Sequence, residues 1–168
     1  MTSSGGKESA GRPASKSNAS EDAREHQAWD QATRWLARRD RSVKETEDYL
    51  RRIGCPTALV ERVLARLRAR GYVHDGRLAQ SRVEYWLRRG YGRERVRAEL
   101  EARGVAEEEI AAALEAAEAR EPGIAGDLVR RRFPRFRSDE RQRARAYRFL
   151  LSRGFPEALV VVIVGEPC

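Results

Sequence analysis

The sequence predicts an all-α fold made of three tandem three-helix repeats in an elongated array, preceded by a disordered N-terminal tail. Three observations lead to this prediction. Apolar residues recur at helical spacing from residue 28 onward. A register of about 50 residues relates three successive segments of the chain. No window shows the sustained period-two alternation that is typical of a half-buried strand.

The first 25 residues lack the side chains that build a core. They contain no Leu, Ile, Val, Phe, Trp or Tyr, and their four basic residues balance four acidic ones. Such a segment buries too little apolar surface to offset the conformational entropy that is lost on ordering. We therefore expect residues 1–25 to form a disordered tail, and the net charge of +8 to lie on residues 26–168.

The first repeat, residues 26–71, is expected to contain three helices. Ser42, followed three residues later by Glu45, has the capping-box pattern that begins a helix. Gly54 ends that helix, since glycine readily adopts the left-handed conformation found just after helix C-termini. The apolar positions of the first and third helices recur at helical spacing, and they are Ala28, Ala32, Trp35, Leu36, Leu59, Val60, Val63, Leu64 and Leu67.

The register predicts two further units of the same kind, over residues 72–119 and 120–168. Gly54, Gly104 and Gly154 occupy matching positions, so each unit is expected to turn at a glycine after its second helix. A unit of this size has a thin core, and neighbouring units are therefore expected to stack and to stabilise one another through their interfaces. The other matching positions are Leu50, Leu100 and Leu150, then Val60, Ile110 and Val160, and finally Leu64, Leu114 and Val164.

The third repeat begins less regularly than the other two. Ala125, Val129 and Phe133 give the best apolar face for its first helix. Phe133, Phe136 and Tyr147 also stand among arginines, and this interleaving has two interpretations: rings that stack on nucleic-acid bases, or core residues of the third unit. We favour the core interpretation.

Composition restricts the class of protein and its surroundings. A chain of 168 residues and 19.1 kDa excludes a large multidomain enzyme. The pI near 10.2 indicates anionic partners. Cys55 and Cys168 are the only cysteines, which argues against a disulfide framework and for a reducing compartment. No apolar run approaches the roughly 20 residues of a membrane span, and no secretory signal is apparent, so we expect a cytoplasmic protein. We also expect it to be a monomer.

Candidates for catalysis or metal binding are sparse. The chain has two histidines, His26 and His74, and no cluster of His, Cys, Asp and Glu at ligand spacing. His74 beside Asp75 is either a functional pair or part of a solvated connector. Gly90 and Gly92 stand in a Gly-x-Gly turn that lacks the Gly-Lys-Ser/Thr of a phosphate-binding loop. We expect no enzymatic activity, no cofactor and no metal.

Arginines cluster in two regions, around the Gly-x-Gly turn and in the first half of the third unit. Guanidinium groups suit phosphate or carboxylate partners, so these clusters are candidate contacts with an acidic protein surface or with DNA. The alternative is a solvated helix face whose arginines pair with nearby glutamates. The candidate binding residues are Arg77, Arg88, Arg89, Arg93, Arg95, Arg130, Arg131 and Arg132.

Several strings of residues are similar to the motifs of one known family. Residues 71–79, Gly-Tyr-Val-His-Asp-Gly-Arg-Leu-Ala, resemble the Gly-Tyr-Leu-Asp-Asp and Arg-Phe-Ala pattern of the RecX regulators of the bacterial recombinase RecA. His74 and Leu78 depart from that pattern. Residues 39–42, 88–105 and 149–155 resemble further RecX motifs, and the resemblance extends over about residues 28–164. The motif residues singled out by it are Gly71, Tyr72, Asp75, Gly90 and Gly92.

This resemblance implies a non-enzymatic regulator of homologous recombination, DNA repair and the SOS response. Such a protein would lie along the groove of the RecA–single-stranded DNA filament and inhibit its extension, ATP hydrolysis, strand exchange and coprotease activity. Weak, non-specific binding to single- or double-stranded DNA is a further expectation. The alternative is a direct DNA-binding protein, because three-helix units with glycine turns are similar to helix-turn-helix modules.

Overall fold

The computed structural model describes residues 14–166, and in that range it contains nine α-helices and no strand. The all-α prediction is confirmed. The helices are α1 (Ala14–Leu36), α2 (Val43–Arg52), α3 (Thr57–Ala69), α4 (Asp75–Arg88), α5 (Arg93–Ala102), α6 (Glu107–Glu118), α7 (Glu121–Arg132), α8 (Glu140–Ser152) and α9 (Glu157–Val164).

The helices form three units of three, and each unit has its own hydrophobic core. We call α1–α3 unit one, α4–α6 unit two and α7–α9 unit three. Leu50, Leu100 and Leu150, which match in the 50-residue register, are fully buried in the three cores. The repeat predicted from the sequence is therefore a repeat of packing as well as of residue type.

The predicted glycine turns are present in all three units. Gly54, Gly104 and Gly154 follow the second helix of their units and have φ angles of +88°, +69° and +77°. A side chain is strained at such angles, which explains why glycine stands at each turn.

The predicted boundary between tail and first helix requires a correction. Helix α1 begins at Ala14, so residues 14–25, assigned to the disordered tail, are helical, while residues 1–13 lie outside the described part of the chain. Alanine, glutamate and arginine favour helix without any apolar contact. Glu25 also anchors the segment, because its carboxylate accepts a hydrogen bond from Arg62 Nε at 3.1 Å and lies 3.8 Å from Arg66 Nη1.

The third unit bears out the core interpretation of its aromatic residues. Ala125 and Val129 are fully buried in α7, and Phe136 and Tyr147 are buried in the same core. Phe133 lies at the C-cap of α7 and is partly buried against that core. These rings are consequently packing residues of the unit.

Candidate functional site

Successive units are joined at two junctions of the same design. The N-cap residue of the second helix in one unit contacts the C-cap residue of the second helix in the next unit. At junction one, Ser42 Oγ donates to the Arg103 carbonyl at 2.6 Å. At junction two, the Gly92 N–H donates to the Arg153 carbonyl at 2.9 Å. Both pairs are related by the 50-residue register, so the two junctions are equivalent.

An acidic side chain completes each junction. Asp75 Oδ1 accepts a hydrogen bond from the Val43 N–H at 2.9 Å, and the Glu121 carboxylate accepts one from the Arg93 N–H. Val43 and Arg93 begin α2 and α5, where backbone N–H groups have no partner within the helix. Each acid therefore caps a helix of the preceding unit.

His74 and Asp75 contact different partners. His74 is the N-cap of α4, and its Nδ1 accepts a hydrogen bond from the Arg77 N–H at 3.2 Å. Asp75 instead faces unit one through Val43. The His74 side chain thus caps α4, and the Asp75 side chain joins unit two to unit one.

The junctions differ in what the C-cap arginine contacts. At junction one, Arg103 Nη2 lies 2.8 Å from Glu45 Oε2 and donates to the Asp40 carbonyl at 2.7 Å. At junction two, the Arg153 guanidinium lies over the rings of Tyr91 and Phe149, with centroid distances of 4.4 and 5.0 Å. The C-cap arginine thus pairs with a carboxylate at junction one, whereas at junction two it makes cation–π contacts and donates from Nη1 to the Arg89 carbonyl at 3.2 Å.

The Gly-x-Gly turn is part of junction two. A Cβ atom on Gly92 would lie 2.4 Å from the Gly154 carbonyl oxygen and 2.6 Å from Phe155 Cα. Gly90 has a φ of +73°, and a Cβ there would lie 3.0 Å from a methyl carbon of Leu128. Gly92 thus allows the backbones of units two and three to approach closely, and Gly90 leaves room for the Leu128 side chain.

Burial affects the acid at junction two. Glu121 is only 1% exposed, and desolvation raises the pKa of its carboxyl above the ordinary glutamate value. The hydrogen bond from the Arg93 N–H and the charge of Arg93 oppose that rise, while Glu94 and Glu118 add to it. Burial therefore disfavours the ionised form of Glu121, and the contacts with Arg93 partly offset that effect.

Beside each junction lies an open groove. Groove one has a volume of about 450 Å³ and contains the motif residues Gly71 and Tyr72 together with the candidate Arg77. Tyr72 is 52% exposed, and the Arg77 guanidinium donates to the Gly71 carbonyl. The residues that line groove one are Leu36, Arg39, Asp40, Arg41, Gly71, Tyr72, His74, Arg77, Leu78 and Ser81.

Groove two brings together arginines that the sequence analysis placed in separate clusters. Arg88 and Arg89 come from the end of α4, and Arg131 comes from α7. The groove has a volume of about 360 Å³, and the Arg88 side chain is 79% exposed. The residues that line groove two are Leu87, Arg88, Arg89, Gly90, Arg120, Ile124, Asp127, Leu128 and Arg131.

The two grooves are related by the repeat. Each is formed by the end of the first helix in one unit and the beginning of the first helix in the next unit. Leu36 of groove one and Leu87 of groove two match at an offset of 51 residues, and each groove contains the N-cap residue of its second helix, His74 or Arg120. The chain therefore presents two similar arginine-lined grooves, one unit apart.

Arg93 and Arg95 lie outside both grooves. Arg93 is engaged at junction two, with its Nη1 2.7 Å from Glu118 Oε1 and its Nε 3.5 Å from Glu121 Oε2. Arg95 is exposed and lies 5.1 Å from the centroid of the Trp86 ring. Arg93 is consequently a junction residue, whereas Arg95 stays available to solvent.

The three consecutive arginines at the end of α7 have different surroundings. Arg130 forms an ion pair with Asp127, and the Arg132 guanidinium lies 5.0 Å from the centroid of Phe149. Arg131 Nε donates to the Asp127 carbonyl at 3.3 Å, and this side chain lines groove two. Of the three, only Arg131 takes part in a groove.

Several groove and junction residues were not among the sequence candidates. Arg39 and Arg41 line groove one, and Arg120 lines groove two. Arg103 and Arg153 join the units. The 50-residue register aligns the last two and was a usable signal for them, whereas the isolated Arg120 carried none.

Charge is distributed unevenly among the repeats. Residues 26–71 and 120–168 each contain eleven basic and six acidic side chains, which gives each a net charge of +5. Residues 72–119 contain eight basic and ten acidic side chains, so the central repeat has a net charge of −2. The positive charge of the chain therefore lies on its first and third repeats.

Among the described helices, none has the length and apolar character needed to cross a membrane. Residues 14–166 also contain no group of three or more His, Cys, Asp and Glu side chains arranged to hold a metal ion. Cys55 is a free thiol, and burial raises its pKa, while Cys168 lies outside the described residues.

The fold and the two grooves define a class: a helical-repeat protein whose three-helix units are joined by capping contacts and present arginine at each junction. Family models agree with the first two units. The model described as RecX, first three-helix domain, matches residues 28–67, and the model of the second three-helix domain matches residues 75–114.

Relatives and solved structures extend the match to most of the chain. The regulatory protein RecX of Pseudomonas fluorescens is 39% identical over 126 residues, which cover 71% of this chain and 78% of that protein. RecX of Chromohalobacter salexigens is also 39% identical, with coverages of 75% and 83%. The chain belongs to the RecX family of regulatory proteins.

Solved structures show the same fold. The crystal structure of RecX from Lactobacillus salivarius has a TM-score of 0.77 at 19% identity, covering 87% of this chain and 96% of that one. A second crystal structure, of a regulatory protein RecX, has a TM-score of 0.73 at 22% identity, with coverages of 89% and 76%. The unit arrangement is thus maintained at low sequence identity.

Proposed function

We propose that this chain binds the RecA–single-stranded DNA filament and inhibits its extension, ATP hydrolysis, strand exchange and coprotease activity. Membership of the RecX family supports this proposal. The observation that carries it is the pair of equivalent arginine-lined grooves, one unit apart. A filament presents the same surface on every protomer, so a protein with a repeated groove can engage two protomers with the same chemistry.

The grooves supply contacts suited to an acidic protein surface. The exposed guanidinium groups of Arg88, Arg89 and Arg131 can each form bidentate hydrogen bonds to a carboxylate. In groove one, the half-exposed ring of Tyr72 adds apolar contact area beside Arg77. A chain bound at both grooves would hold neighbouring protomers in one arrangement and so oppose the movements that accompany ATP hydrolysis and extension.

The helix-turn-helix alternative is less well supported by the surface charges. In such modules the second helix of the motif enters the major groove, and this position corresponds to the third helix of each unit. In unit two that helix, α6, begins with the exposed residues Glu107, Glu108 and Glu109. Three carboxylates in the first turn would be repelled by DNA phosphates. This favours the filament over a sequence-reading role.

The test is RecA's DNA-dependent ATP hydrolysis with the chain titrated in below one copy per recombinase protomer. We expect the unaltered chain to inhibit and R88E/R89E/R131E to lose inhibition. Arg93 is left unaltered because it holds junction two. The matched control is R24E/R52E/R68E, whose side chains are exposed, lie outside both grooves and have no ion pair within the described residues.

Two results would contradict the proposal. One is full inhibition by the groove variant when its circular dichroism spectrum and melting temperature match those of the unaltered chain. The other is the absence of inhibition by the unaltered chain together with tight, RecA-independent binding to a particular DNA sequence, which would favour the DNA-binding alternative.

A further inference from the structure

One face of α8 carries three arginines that neither groove uses. Arg141, Arg145 and Arg148 are spaced by four and three residues, which places them in a row along one side of the helix. All three are exposed. At 1.5 Å of rise per residue the row is about 10 Å long.

Within the described residues, these three guanidinium groups have no hydrogen-bond or ion-pair partner. Three acids of unit three are engaged with other side chains, and Asp139 accepts hydrogen bonds from the backbone N–H groups of Arg141 and Gln142. Glu140 lies 3.5 Å from Arg143, Asp127 pairs with Arg130, and Glu157 accepts a hydrogen bond from the Tyr147 hydroxyl at 2.6 Å. The row is therefore an uncompensated strip of positive charge.

The second helices of the other units are balanced. On α2, Lys44 Nζ lies 2.9 Å from Asp48 Oδ1, and Arg51 forms an ion pair with Glu47. In the 50-residue register, Arg148 matches Ala98 and Asp48. Arg145 matches Arg95 and Glu45, and Arg141 matches Tyr91 and Arg41. Unit three is thus the unit that has arginine at all three positions.

We propose that this face of α8 binds the phosphodiester backbone of nucleic acid without regard to sequence. Guanidinium groups bind phosphate oxygens through charge-assisted hydrogen bonds, and a row of about 10 Å reaches two or three phosphates of one strand. The face has no exposed aromatic ring, because Tyr147 is buried and bonded to Glu157. Base stacking is thus excluded here, and duplex DNA, with its higher charge density, should bind at least as tightly as a single strand.

The experiment measures binding of the full chain to a short fluorescent duplex and to a short oligothymidine strand, by anisotropy across a range of salt concentrations. For R141Q/R145Q/R148Q we expect a loss of roughly tenfold or more in duplex affinity at low salt. The plot of log affinity against log salt should become shallower by about 2 to 3, since each phosphate contact contributes about 0.9. The matched control, R24Q/R52Q/R68Q, removes the same number of positive charges from unit one and should lose much less.

Three results would overturn the proposal. The first is an equal loss of duplex affinity in the control variant, and the second is an unchanged salt slope in the α8 variant. The third is competition by poly-glutamate as effective as that by duplex at equal charge, which would indicate an acidic protein partner. The face lies outside both grooves. Retained RecA inhibition by the α8 variant therefore leaves the filament proposal intact, and lost inhibition by the groove variant leaves the α8 proposal intact.

Discussion

Junction one and junction two share a backbone plan and differ in their side chains. At junction one, the Ser42 hydroxyl bridges to the Arg103 carbonyl, and the arginine side chain binds carboxylate and carbonyl oxygens. At junction two, Gly92 brings the backbones into direct contact, and Arg153 lies on aromatic rings. A repeat can therefore conserve the way its units meet while exchanging ionic for cation–π stabilisation.

The largest effect is expected where the backbones touch at junction two. Gly92→Ala places a methyl carbon 2.4 Å from the Gly154 carbonyl oxygen, so units two and three must move apart. We expect a loss of about 2–3 kcal/mol in the free energy of unfolding, measured by urea denaturation. The control is Gly123→Ala, where a Cβ meets nothing within 4 Å and helix propensity predicts a small gain. Equal stability of the two variants would contradict direct backbone packing at this junction.

An intermediate effect on stability is expected at the two C-cap arginines. Its dependence on salt concentration should distinguish the two junctions. Arg103→Met removes the partly buried contacts to Glu45 and Asp40 and should cost about 1–2 kcal/mol at low salt. Arg153→Met removes the cation–π contacts and the hydrogen bond to the Arg89 carbonyl, and should cost about 1 kcal/mol. Added salt should reduce the loss of stability in Arg103→Met and leave that in Arg153→Met nearly unchanged. If both costs respond equally to salt, the chemical distinction between the junctions is wrong.

The smallest effect concerns pH at junction two. Burial raises the pKa of Glu121, so the folded chain binds this proton more tightly than the unfolded chain does. Stability is therefore expected to fall as pH rises from about 4.3, the ordinary glutamate value, through the raised value. Glu121→Gln keeps an oxygen acceptor for the Arg93 N–H and should flatten this dependence.

Urea unfolding at several pH values checks the Glu121 prediction. The control is the exposed Glu108→Gln, which also removes one carboxylate. A pH dependence that persists in Glu121→Gln, or that disappears equally in the control, would show that the buried carboxyl is not its source.

The sequence was sufficient to predict what each helix does within its own unit. Periodic apolar residues identified the cores, the glycine at every fiftieth position identified the turns, and Ser42 with Glu45 identified a capping box that the structure contains. The apolar faces and the capping box depend on residues three to eight positions apart, whose mutual geometry is dictated by the helix, and the glycine turns follow from the repeat.

The contacts between units were outside the reach of such reasoning. Ser42 and Arg103 are 61 residues apart, and the spacing of apolar residues along each helix does not indicate that the two residues are in contact. The same limit explains Arg93, predicted as a free contact and found at a junction, because the pairing of a long side chain depends on which unit packs beside it. The start of α1 was missed for another reason, since residues 14–25 carry none of the periodic large apolar residues on which the prediction of a helix relied.

The junction chemistry also gives the chain a direction. The position matched by Arg103 and Arg153 is occupied in unit one by Ile53, and the position matched by Asp75 is occupied by Arg24. Unit one thus has no arginine at the C-cap of its second helix, whereas the acids of units two and three, Asp75 and Glu121, share a place at the start of the first helix and not a register position. The C-cap arginine that joins a unit to its predecessor is therefore confined to units two and three, so the junction contacts run in one direction along the chain.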